Sequence, residues 1–218
     1  MTSRTSIFDR RRRIFAAAVA LSLMPATACT GGGTTPGATA APESSSPAAS
    51  PTPSATPTPT ASYKPADASG RAQNVPVPVL PEAAKAETKE GAIAFATYWF
   101  SLLSYGYETG ELAQLESITS PDCEPCAKAK SVIEAWHTEG RWLIGGKITT
   151  PSVSTEFVRD VDATYQVVVQ AQQTPLTYMR QDASVARSDP QPDDTGNLLF
   201  ITFSGGMWNV VNVGRIVG

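Results

Sequence analysis

Histidine occurs once in this chain, cysteine three times, and no apolar run reaches the roughly 20 residues that a membrane-spanning helix requires. Each scarcity removes a class of chemistry. Two internal cysteines and the single His137 cannot complete the usual four-ligand zinc set, so no metal is implied. No phosphate-cradling glycine motif, nucleophile elbow or metalloprotease helix is present, and no cofactor is implied. The carboxylate pairs Asp160/Asp162 and Asp193/Asp194 lack calcium-loop spacing, and solvated turns account for both. Clustered positive charge is missing beyond residue 28. The first 28 residues hold five of the seventeen basic side chains and one of the twenty acidic ones. Twelve against nineteen remain, formally −7, which argues against nucleic acid as a partner.

What is there begins with an export signal over residues 1–28. Arg4 and the run Arg10 to Arg13 make a positive end, Ile14 to Met24 an apolar stretch too short to span a bilayer, and Ala26, Thr27 and Ala28 a small-residue approach to Cys29. This order resembles the lipobox of bacterial lipoproteins, although Ala26 stands where a larger aliphatic residue is preferred. The resemblance implies a diacylglyceryl group, bearing palmitate-class chains, on the Cys29 sulfur, with cleavage just before the cysteine. An ordinary signal cut near Ala28 would leave an unpaired cysteine in an exported chain, which needs its own explanation. Arg12-Arg13-Ile14-Phe15 also resembles the twin-arginine motif, so the export route stays open. Two or more acyl chains hold a protein stably on a membrane where one does not. The expected location is the extracytoplasmic face of the cell membrane.

Residues 29–78 lack apolar periodicity, and ten of the eighteen prolines lie between Pro36 and Pro78. Too little apolar surface is available to offset the entropy of ordering such a segment, which predicts a disordered tether. About fifty residues reach on the order of 150 Å fully extended and average about 40 Å as a flexible coil.

Residues 79–218 read as one domain. Thr88 is a helix N-cap, and Ile93, Phe95, Ala96, Trp99, Phe100, Leu102 and Leu103 form a wide apolar face that Gly106 to Gly110 is expected to break. A short helix with Leu112, Leu115 and Ile118 follows. Ser120-Pro121-Asp122 reads as cap, first turn and dipole partner of a third helix that carries Ala129, Ile133 and Trp136 and stops at Gly140. The period then changes to two. Tyr165, Val167, Val169 and Ala171 make the inward face of a strand, Leu198–Val213 a hairpin around Gly205-Gly206, and the segments near 142–153 and 176–179 further strands. Helices first and strands afterwards predict an α+β fold, N-terminal helices packed on a curved antiparallel sheet of about four to six strands.

That order resembles the cystatin-like cone of the nuclear-transport-factor-like and SnoaL-like superfamily. The segment Glu90-Gly91-Ala92, Phe95, Tyr98-Trp99, Thr109-Gly110 and Ser120-Pro121-Asp122-Cys123-x-x-Cys126 is similar to a family of actinobacterial lipoproteins known only as a domain of unknown function. The resemblance implies an envelope location and no activity, because the superfamily contains isomerases, hydrolases and non-catalytic modules.

Cys123-Glu124-Pro125-Cys126 reads first as a structural disulfide at a helix start in an oxidising compartment. A redox reading, with Cys123 as nucleophile, rests on the thiol-acidifying helix N-terminus, but no strand leads into the motif as it does in βαβ redox proteins. Metal is the weakest of the three. Tyr98, Trp99, Trp136, His137, Trp142 and Trp208 are the candidate lining of a cone-mouth pocket, with core packing as the competing reading; no catalytic residue is assigned. The expected function is binding without chemistry, with an envelope protein or a small apolar ligand as partner. A thiol–disulfide enzyme and a SnoaL-like hydrolase or isomerase are the alternatives.

Overall fold

The computed structural model describes residues 61–193 and 195–216. The expected signal peptide, Cys29 and the tether up to residue 60 lie outside them. Residues 61–78, read above as the end of the tether, are fastened to the domain instead. A tight turn pairs Lys64 with Gln73 and Asp67 with Gly70. The Trp142 indole N–H donates to the Asp67 carbonyl at 2.9 Å, and the Arg71 guanidinium donates to the carbonyls of His137 at 2.9 Å and Arg141 at 2.7 Å. The proline content concealed these contacts because they are made by the residues between the prolines.

Helix α1 (Lys89–Thr109) starts where expected, the Thr88 hydroxyl accepting the Gly91 N–H at 3.0 Å. It does not break at Gly106. It continues to Thr109 and ends on Gly110 in the left-handed conformation. Gly106 serves close packing instead. A Cβ there would lie 2.7 Å from Leu112 Cδ2, so its absence lets α2 (Ala113–Ser117) fold back against α1. Helix α3 (Glu124–His137) begins a turn later than its sequence grammar implies. Ser120, Pro121 and Asp122 form a separate turn, with the Cys123 N–H donating to the Ser120 carbonyl at 3.1 Å, so that Cys123 is the N-cap and Pro125 the first-turn proline.

Seven strands follow, more than the four to six expected: β1 (Trp142–Gly145), β2 (Ile148–Ser154), β3 (Tyr165–Gln173), β4 (Leu176–Met179), β5 (Val185–Asp189), β6 (Thr195–Ser204) and β7 (Met207–Ile216). They form two antiparallel sheets, ordered β2-β3-β6-β7 and β1-β4-β5. Short links join the two, Gly145-Gly146 on one side and Thr174-Pro175 on the other. Pairing runs on across the links through Gly146 N–H to the Pro175 carbonyl at 3.1 Å and Thr174 N–H to the Lys147 carbonyl at 2.9 Å. Gly145 makes this corner feasible: it sits at φ 80°, and a Cβ would lie 2.1 Å from the Pro175 carbonyl oxygen. In β3 the alternation is as read, with Tyr165, Val167 and Val169 buried. The hairpin around Gly205-Gly206 is present with Phe203 opposite Trp208. Helix α1 packs on β1, β2 and β3, and α3 on β7 and β1. The main core lies between α1 and the four-stranded sheet, holding Phe95, Trp99, Leu102, Val167, Leu199 and Trp208 among others.

Candidate functional site

The six residues read as a pocket lining are not brought together. Tyr98, Trp99 and Trp208 belong to the main core. The Trp208 ring meets Phe95, Phe157, Tyr165 and Phe203, and its N–H donates to the Ala86 carbonyl at 3.2 Å. Trp142 is buried beneath the arm, and Trp136 stands edge-on to Tyr178 in a smaller cluster with Leu143 and Leu176. Tyr98, Trp99 and Trp208 therefore pack as core side chains between α1 and the four-stranded sheet.

His137, at the end of α3, packs its ring against Gly110, where a Cβ would come within 2.7 Å of it. Its Nε2 is 3.1 Å from the Tyr107 carbonyl oxygen, the arrangement of an N–H donor, and its buried Nδ1 has no protein partner. Burial is the largest cause holding its pKa below the ordinary value, and the nearby Arg71 guanidinium adds to it. The Tyr107 carbonyl and Glu111 act in the opposite direction. Asp160 accepts the N–H groups of Asp162 and Thr164 in an exposed turn, as expected for a solvated pair. Among the described residues no cluster of three or more His, Cys, Asp or Glu could hold a metal ion.

The concavity that does form lies elsewhere, between α2 and the first turns of α3. Leu112 and Leu115 line one wall; Pro121, Cys123, Cys126 and Ala127 line the other, and the volume is about 320 Å³. Cys123 and Cys126 form a disulfide with Cα atoms 5.3 Å apart. Cys123 is only 1 % exposed, whereas Cys126 is partly exposed. An ion pair between Glu116 of α2 and Lys130 of α3, at 3.0 Å, closes one rim and holds the lysine pKa above its ordinary value.

The link between α2 and α3 is tied to β7 and to Trp99 by hydrogen bonds. Ser120 N–H donates to the Val210 carbonyl at 2.7 Å, and Val210 N–H donates to the Ile118 carbonyl at 2.9 Å. Thr119 accepts the Trp99 indole N–H at 2.9 Å. A groove with leucines on one wall and the disulfide on the other is suited to receive an apolar group and hold it. Sequence reading missed Leu112, Leu115, Glu116 and Lys130 as site residues. The available signal was a short helical segment carrying Leu112 and Leu115 close before the cysteine pair.

The domain is thus α+β, with an aromatic core and a disulfide-walled groove outside it. The chain belongs to a family of unknown function (DUF6318), matched over residues 61–214. No curated protein matches it. Among solved structures it is similar to the intermembrane space region of the chloroplast protein ARC6, at 11% identity and TM-score 0.40, covering 60% of this chain and 98% of that one. A second is a calcium/calmodulin dependent protein kinase II association domain from Xanthomonas campestris, at 13% identity and TM-score 0.29, covering 58% and 84%. At these scores neither bears on function.

Proposed function

We propose that this chain is an envelope lipoprotein, anchored to the extracytoplasmic face of the cell membrane by acyl chains on Cys29. Its α+β domain, a SnoaL-like cone, docks another envelope protein without chemistry. The observation that carries this reading is the α2–α3 groove: lined by Leu112, Leu115, Pro121 and Ala127, walled by the disulfide, and bordered by the Glu116–Lys130 ion pair. Glu116 and Lys130 are its charged lining residues and pair with each other at 3.0 Å, so the complementary occupant is an apolar side chain of a partner protein. The filled core supports a protein partner over an enclosed small ligand. A tether of the predicted reach serves encounter with a partner fixed in the envelope and gives no advantage to turnover of a diffusing substrate.

Two other readings have less support. A thiol–disulfide enzyme needs Cys123 as an exposed nucleophile, and that residue is buried. A hydrolase or isomerase needs a titratable group inside the cone, while His137 is turned to the Tyr107 carbonyl and Asp160 to its own turn.

The test is a photo-crosslinking side chain at Ala127 of the full-length chain in its native envelope. One discrete protein adduct is expected there. None is expected from the same side chain at Val168, on the exposed face of β3. Equal labelling from both positions, or none from Ala127, overturns the docking reading. Native mass spectrometry of the exported protein provides a second readout: a clean polypeptide mass is expected, and a releasable small molecule would shift the function to ligand carriage.

A further inference from the structure

The disulfide is asymmetric in a way that a helix-start Cys-x-x-Cys pair does not require. Cys123, the N-cap of α3, is 1 % exposed and is held by backbone on both sides: its N–H donates to the Ser120 carbonyl at 3.1 Å, and its carbonyl accepts the Ala127 N–H at 2.9 Å. Cys126 is partly exposed and borders two openings. One is the α2–α3 groove; the other is a hollow of about 120 Å³ shared with Trp99, Phe100, Leu103, Pro125 and Val213. Of these two openings Cys123 borders the groove alone. Thiol–disulfide exchange requires a thiolate to reach the attacked sulfur in line with the bond that breaks. Cys126 is partly exposed and borders both openings, whereas Cys123 borders one and is almost fully buried.

We propose that Cys126 is a thiol-modification site, the sulfur through which this disulfide exchanges with low-molecular-weight thiols. The thiolate attacks Cys126 Sγ and forms a mixed disulfide there. The Cys123–Cys126 bond breaks, and its electron pair leaves on Cys123 Sγ, which takes a proton from water. No further oxidant or reductant is needed. The positive end of α3 stabilises the departing Cys123 thiolate before protonation. The adduct sits in the groove wall, and its polarity is opposite to that of redox enzymes in which the first cysteine of the pair is the exposed one. The site stands whether or not the groove holds a partner.

The experiment uses the full-length chain with Cys29→Ser, so that only two cysteines react. In Cys123→Ser and Cys126→Ser backgrounds, the remaining thiol is titrated with an aromatic disulfide reagent under native conditions and again in denaturant. The Cys126 thiol is expected to react at least about tenfold faster than the Cys123 thiol when folded, and equally in denaturant. A smaller ratio, or an inverted one, overturns the proposal. If either variant fails to fold, the intact disulfide is treated with isotopically labelled cysteine and quenched with acid, and the adduct is located by peptide fragmentation. Label mainly on Cys126 supports the assignment; label on Cys123, or divided evenly, overturns it.

Discussion

Three of the four tryptophans commit the indole N–H to one fixed acceptor: Trp99 to Thr119, Trp142 to Asp67 and Trp208 to Ala86. Buried indoles need such partners, because an unpaired N–H in the core costs on the order of 1–3 kcal/mol. The acceptors lie far away in sequence, so composition and spacing could not tell lining from core. His137 carries the residue-scale consequence that can be measured. Its folded pKa lies below the ordinary 6.5 because burial disfavours the imidazolium. Between the folded and unfolded values the unfolded chain binds the extra proton, so stability falls as pH drops through 6.5 and levels off below the folded value. Urea unfolding at about pH 7.5 and about pH 5.5, on either side of the ordinary 6.5, should therefore show a larger loss for the natural chain than for His137→Gln. Equal losses would mean that the imidazole titrates alike in both states.

At the scale of elements, the disulfide spans the N-cap and first turn of α3, and only three positions separate its cysteines. Loop-closure entropy for so small a ring gives about 2 kcal/mol. Reduction should lower the unfolding free energy by about that amount and leave the fold intact, with near-ultraviolet circular dichroism unchanged. Collapse of that spectrum would show that the bond is required for folding.

The elements legible in the sequence were those in which local pattern and tertiary demand agree. These are Thr88 as the α1 cap, the inward Tyr165, Val167 and Val169, and the Gly205-Gly206 hairpin. Strand β5 was not legible. Its sequence, Val-Ala-Arg-Ser-Asp, is polar and it pairs only with β4, leaving Val185 55 % exposed. The start of α3 was displaced because Ser120-Pro121-Asp122 satisfies cap grammar locally, while Ser120 is held by Val210. The groove was invisible for a related reason: Leu112 and Leu115 face Cys126 only after Gly106 lets α2 fold back on α1.

For the whole molecule, the decisive boundary is the N-terminal edge of the domain. Reading proline content as disorder places it at residue 79, whereas the matched family region begins at 61. Tyr63 donates its hydroxyl proton to the Glu108 carboxylate, a bond that pushes the tyrosine pKa up to about 12. Asp67 and Arg71 fasten the arm to Trp142 and to the carbonyl end of α3. That end lies about 20 Å along the helix from the disulfide, at 1.5 Å per residue over its length. A pull on the chain before Ala61 would thus meet the Tyr63–Glu108 and Asp67–Trp142 bonds first and reach α3, through Arg71, at the opposite end from Cys123. Net bond energies near 1 kcal/mol make the arm worth roughly 2–4 kcal/mol to the domain. A chain begun at Ala61 should unfold in urea at the midpoint of the full-length protein, and one begun at Val79 at a clearly lower midpoint. Arg71→Ala in the full-length chain should lie between them, with faster amide exchange over residues 62–74. If the chain begun at Val79 were as stable as the others, the arm would be a passive covering and the domain would begin where the prolines end.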